Sequence, residues 1–144
     1  MVQLACVVTP TEQCDAAARA TAIVRGSLIA GNHEYGMFVM GSDVTVDATV
    51  VRGTLPKAAA QTLGQGINIQ LACVGAGANQ QCDPAARSVG TISRSVVEQN
   101  HNVGVLIHAS DVEVNASVVR STLPRAADQG AAAASASAPR LRVS

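Results

Sequence analysis

Four cysteines, three histidines and a small set of charged residues are the side chains here that could do chemistry. The cysteines fall as Cys6-x7-Cys14 and Cys73-x8-Cys82. Zinc sites favour closer C-x2–4-C pairs, which this chain lacks. Local pairing into two disulfides is therefore the expectation, ahead of free thiols or a metal, each bridge contributing about 2–3 kcal/mol by constraining the unfolded chain. Paired cysteines in turn point to an extracellular or cell-envelope location. His33 and His101 both follow an asparagine in the same local context, and His108 has no such copy. Arg52, Glu98 and Arg120 close the segments VVR, VVE and VVR. Arginine forks grip carboxylates, so this trio is the candidate binding set for an anionic sugar or a protein partner. The plainer alternative is a surface ion-pair ladder worth about 0–1 kcal/mol per pair.

What must position these residues is a repeat. NHEYGMFVMGSDVTVDATVVRGTLPKA at 32–58 returns as NHNVGVLIHASDVEVNASVVRSTLPRA at 100–126, an offset of 68 from Asn32 to Asn100. Val2-Gln3-Leu4-Ala5-Cys6 is matched by Ile69-Gln70-Leu71-Ala72-Cys73, so the first residues already lie inside a repeat, and the expectation is that the chain is a fragment or that its true start lies upstream. Repetition of this length makes the structural unit a stacked module. Each long copy divides again: residues 20–32, 42–54, 88–100 and 110–122 align as four rungs. Val24, Val46, Ile92 and Val114 form one column, and Ile29, Val51, Val97 and Val119 another. Ser27, Thr49, Ser95 and Ser117 form a hydroxyl column, and Asn32, Thr54, Asn100 and Thr122 a corner column. Leu28, Val50, Val96 and Val118 form an outward apolar column, expected to lie under insertion loops. After Gly36, Gly66 and Gly104 come MFV, INI and VLI, further short strands.

Period-two alternation within short runs predicts strands, and glycine and asparagine between them predict corners with left-handed backbone angles. Like residues then stack at about 4.8 Å per rung. The asparagine and threonine columns are expected to bond side chain to side chain between rungs. At that spacing His33 and His101 stand two rungs, about 10 Å, apart, too far to share a zinc ion with bonds of about 2 Å. Two insertions interrupt the rungs, at 57–65 and 71–87; DAAAR (15–19) and DPAAR (83–87) each read as one capped helical turn. Residues 127–144, GAAAASASAPRLRVS included, read as a low-complexity, disordered tail.

Composition narrows the function classes. The chain has 144 residues, one Tyr, one Phe and no Trp, so β-branched residues and alanine must fill the interior. Ten basic and ten acidic residues balance. No basic cluster accompanies an aromatic platform, which argues against nucleic-acid binding. No apolar run reaches the roughly 18 residues of a membrane helix.

The pattern V-x-V-x-x-S/T-x-V/I-x-x-N/T, followed by glycine and an apolar-x-apolar strand, resembles the right-handed parallel β-helix proteins of the pectate-lyase-like class over residues 20–122. The resemblance implies an all-β fold: a right-handed parallel β-helix (solenoid) of about four rungs with loop insertions, spanning 1–126, with repeat 1 at about 3–61 and repeat 2 at about 70–129. Pectate lyases use an arginine base and carboxylate-bound calcium. Here Asp43 and Asp111 stand two rungs apart, and Asp47 faces Asn115 in the other copy. No residue is therefore assigned a catalytic role, and no metal or cofactor is expected. The sequence favours a non-catalytic module of an exported or cell-surface protein, structural or binding polysaccharide or protein weakly. The rival is a fragment of a polysaccharide lyase, hydrolase or epimerase. Uncapped rungs also imply either end-to-end self-association or a parent protein that continues beyond them.

Overall fold

The computed structural model describes residues 2–3, 6–7, 13–14, 19–74 and 80–124. Among these the secondary structure is all strand and turn, and no helix is long and apolar enough to cross a membrane. Three four-stranded sheets carry the chain, and every pairing within them is parallel. The first contains β1 (Val2–Gln3), β6 (Tyr35–Met40), β9 (Gln65–Gln70) and β14 (Val105–His108). The second contains β4 (Thr21–Arg25), β7 (Asp43–Asp47), β12 (Val89–Ser93) and β15 (Asp111–Asn115). The third contains β5 (Leu28–Ala30), β8 (Val50–Arg52), β13 (Val96–Glu98) and β16 (Val118–Arg120). The chain visits the sheets in the same order in each of four passes. Two antiparallel hairpins are inserted after the first-sheet strand of passes one and three: β2 (Cys6–Val7) with β3 (Gln13–Cys14), and β10 (Cys73–Val74) with β11 (Gln81–Cys82).

The columns read from the sequence are the pairing register. Val46 is the partner of both Val24 and Ile92, and Ile92 of Val114. Val51 pairs with Ile29 and Val97, and Val97 with Val119. Met37 and Val39 pair with Ile67 and Ile69, which pair with Val105 and Ile107. A one-residue slip would turn each inward column to solvent, so burial of one face enforces the register. One core draws on all three sheets: Met37, Val39, Val44, Val46, Val51, Ile67, Ile69, Ile92 and Val97. Burial of these side chains, at about 25 cal/mol per Å2 of apolar surface, is the main stabilising contribution.

The corners depart from the glycine expectation. Gly26, Ala48, Arg94 and Ala116 occupy one corner column with φ of 54°, 47°, 49° and 46°. A second column is Gly31, Gly53, Gln99 and Ser121, also left-handed. The geometry belongs to the corner, and the sequence supplies glycine only part of the time. Residues with a Cβ are strained in this region. Ala48→Gly is therefore expected to stabilise the fold by about 1 kcal/mol, seen as a higher midpoint in urea with an unchanged slope.

The hydroxyl column acts through the backbone. Thr49 N–H donates to Ser95 Oγ at 3.1 Å, and Ser95 N–H to Ser117 Oγ at 3.1 Å. Each hydroxyl then donates to the carbonyl two residues before it, as Thr49 does to Asp47 at 2.9 Å and Ser95 to Ser93 at 2.8 Å. These links satisfy corner amides that no sheet partner reaches. The corner asparagine corrects the expected side-chain ladder. Asn100 Oδ1 accepts from Thr54 N–H at 3.0 Å, and its Nδ2 donates to Val51 O at 3.2 Å. An amide side chain matches a peptide group of the next pass more closely than it matches a threonine hydroxyl.

Candidate functional site

The charged trio stands in register at the outer ends of β8, β13 and β16. Arg120 Nε donates to Glu98 Oε2 at 2.9 Å. Arg52 shares the column but makes no ion pair within 4.0 Å among the described residues. Its exposed guanidinium and the Arg120–Glu98 pair lie on one face. An exposed guanidinium can take a carboxylate in a bidentate fork, so the column can bind an anionic group at Arg52, with Glu98 limiting how many negative charges fit beside it.

Three further acids, Asp43, Asp47 and Asp111, are engaged by arginines that the sequence reading passed over. Arg19 pairs with Asp43 on the next pass. Its copy Arg87 grips Asp111 through two bonds of 2.9 and 2.8 Å. The arginines of DAAAR and DPAAR thus have one role, to tie the end of an insertion to the second-sheet strand of the next pass. The shared offset of 68, from Arg19 to Arg87 and from Asp43 to Asp111, could have disclosed it. Arg94 pairs with Asp47, Nε to Oδ1 at 2.9 Å, and Ser93 Oγ adds a bond of 2.8 Å to the same oxygen. That pair had no signal in the repeat, because glycine or alanine occupies the other positions of the Arg94 column.

These hydrogen bonds from Arg94 and Ser93 hold the Asp47 carboxyl down at about 2, below its ordinary 3.8. A general acid at neutral pH needs a shift upward, so this carboxylate is tuned for permanent charge. A depressed carboxylate contributes stability that is complete above the unfolded value of 3.8 and is lost as the pH falls through about 2. Thermal melts taken across that window are expected to fall less steeply with acid for Asp47→Asn than for the parent.

The histidines lie apart, as their register requires. His33 bridges to Leu55 and His101 to Leu123, with Nδ1 of each beside a proline carbonyl, Pro56 O at 3.0 Å and Pro124 O at 3.2 Å. Leu55 occupies the pass between them. His108 pairs with Gln70, which pairs with Met40 on its other side. Among the described residues no three His, Cys, Asp or Glu side chains converge on a metal position.

Cys73 and Cys82 form a disulfide across the β10–β11 hairpin. Cys6 and Cys14 are backbone partners in β2–β3; their side chains, and residues 125–144, lie outside the described residues. DPAAR makes a single turn, with Asp83 Oδ1 accepting from Ala85 N–H at 2.8 Å. The insertion places Ala72 and Ala86 over Met40, with Phe38 beside them, as a second small core outside the first sheet. Its described residues leave the outward apolar column exposed at both ends. Leu28 and Val118 at the ends of that column are 61% and 47% exposed, and Val50 and Val96 are half-buried. Replacing both Cys73 and Cys82 by serine is expected to cost about 2.5 kcal/mol, from loop entropy, measured by urea unfolding. Protease cleavage inside 71–87 should precede loss of the strand spectrum, because only the small core depends on the hairpin.

Comparison with protein-family models, with curated proteins and with solved structures yields no match.

Proposed function

We propose that the chain is a non-catalytic right-handed parallel β-helix module of an exported or cell-surface protein, a rigid scaffold that binds an anionic polysaccharide or another protein weakly along its outer face. The observation that carries the reading is that the ion pairs at the ends of the two insertions obey the duplication. Arg19–Asp43 and Arg87–Asp111 are the same tie made twice, and the acids they hold are committed to structural pairs. An enzyme site breaks a repeat where acid, base and arginine converge. A scaffold copies its charges. The parallel strands, in-register columns and shared core support the β-helix reading, and the Cys73–Cys82 disulfide supports export. Arg52 is the residue we place first at the ligand, with Arg120 and Glu98 as its neighbours in the column.

Affinity electrophoresis in gels containing polygalacturonate tests this. Retardation that weakens with salt and is lost in Arg52→Ala supports binding at the column. Mobility equal to that in a gel of neutral dextran rejects the carbohydrate reading. Release of unsaturated or reducing oligosaccharides from the polymer would overturn the non-catalytic assignment.

A further inference from the structure

Among the described residues the last pass has an open face. Val119 shares its inward column with Val51 and Val97, which are wholly buried, yet Val119 is 48% exposed. Among the described residues no strand pairs with the outer edges of β14, β15 and β16, or with those of β1, β4 and β5 at the opposite end. Each end therefore offers three parallel strand edges around an apolar interior, the kind of edge that recruits a further strand.

We infer that the partner fitted by these faces is a second copy of this chain, docked head to tail so that β16 pairs with β5 of the next copy, β15 with β4, and β14 with β1. The two faces are complementary because the bonds between passes have a direction. Ser27 N–H donates to Thr49, Thr49 N–H to Ser95, and Ser95 N–H to Ser117. Continuing that series brings the Ser117 N–H to the Ser27 hydroxyl of the next copy. The corner amides follow the same direction: Gly26 to Asp47 O, Ala48 to Ser93 O and Arg94 to Asn115 O. The next bond in that series runs from Ala116 N–H to Arg25 O of the next copy. Hairpin insertions leave passes one and three, so a copy that begins with pass one behind pass four keeps their alternation. In the charge column Arg120 meets Ala30 of the next copy, so no like charges are stacked. A contact of this kind does not close on itself and builds a filament, whatever ligand the outer face takes.

Sedimentation velocity on the full chain tests the inference. Species rising with concentration in steps of 14.6 kDa are expected. Fibre diffraction should show a strand spacing of about 4.8 Å and an axial repeat of about 19 Å for four passes. Leu28→Cys and Val118→Cys change exposed positions that become neighbours only in this docking, at a Cα spacing within the roughly 4.4–6.8 Å of disulfides. Mixed and mildly oxidised, the two variants should crosslink to each other, as mapped by peptide mass. Val119→Lys should weaken assembly at least about tenfold, and mixing it with Ile29→Lys should restore a single heterodimer through the two intact faces. A 14.6 kDa species at every concentration with no mixed crosslink overturns the inference. Crosslinking of Val118→Cys chiefly to itself overturns it also, since like ends would then be meeting. The cysteine pair decides the matter should either lysine variant fail to fold.

Discussion

Gly66→Ala is expected to lose about 3 kcal/mol of stability. A Cβ at Gly66 would stand 2.5 Å from Gly104 O and 2.6 Å from Asn100 Nδ2. A backbone oxygen in a three-sheet stack cannot retreat without pulling its own pass out of register. The same contact recurs one pass earlier, where a Cβ at Gly36 would lie 2.5 Å from Gly66 O. Gly104 supplies the control. Its added Cβ would meet Val119 Cγ1 at 2.6 Å, a side chain at the half-exposed end of its column that can turn away. Urea unfolding followed by circular dichroism should therefore place Gly66→Ala well below the parent and Gly104→Ala within about 1 kcal/mol of it. Equal losses at the two positions would mean that the passes are not packed as tightly as the close approach at Gly66 requires.

Asn100→Ala is expected to cost about 3 kcal/mol, combining an orphaned backbone N–H, a lost bond to a carbonyl and a small cavity. Asn100 is fully buried, and its amide serves both Thr54 N–H and Val51 O. Truncation leaves the Thr54 N–H unpaired away from water and removes one bond to Val51 O. Asn100→Thr, which installs the residue that the column carries at 54 and 122, should lose less, because a hydroxyl recovers one of the two bonds. The two sites are coupled, since the Asn100 amide fills the space where a Gly66 Cβ would go. The double variant Gly66→Ala/Asn100→Ala should then lose less than the sum of the singles. Additive losses would show that the clash at Gly66 is with the Gly104 backbone alone.

Much of the stacking was legible because an in-register parallel sheet places each residue beside its own copy. Offsets of 22 and 46 in the sequence, which add to the 68 of the long repeat, are the separations of the bonded pairs, as in Ser27 with Thr49 and Thr49 with Ser95. The inward valines, the hydroxyl column and the Arg52, Glu98 and Arg120 register follow from that translation. The expectation of side-chain ladders at the corners failed, since alignment names neighbours but not which atoms face each other. Arg94 with Asp47 escaped notice because nothing in its column repeats it. The insertion at 71–87 was legible as a closed loop but not in its resting place, which depends on where Met40 leaves an uncovered apolar surface.

The sequence by itself determined the period, the inward columns and the local cysteine pair, because each is a relation between residues carried along the chain or between copies of one segment. Only the tertiary structure decided that corner angles override residue type at Ala48, Arg94 and Ala116, that four acids are spent on arginine ties, and that Arg52 keeps its guanidinium free of such a tie among the described residues. Those outcomes turn on distances of a few ångströms between passes and on competition for the same hydrogen-bond partners, and a periodic pattern of residue types contains neither.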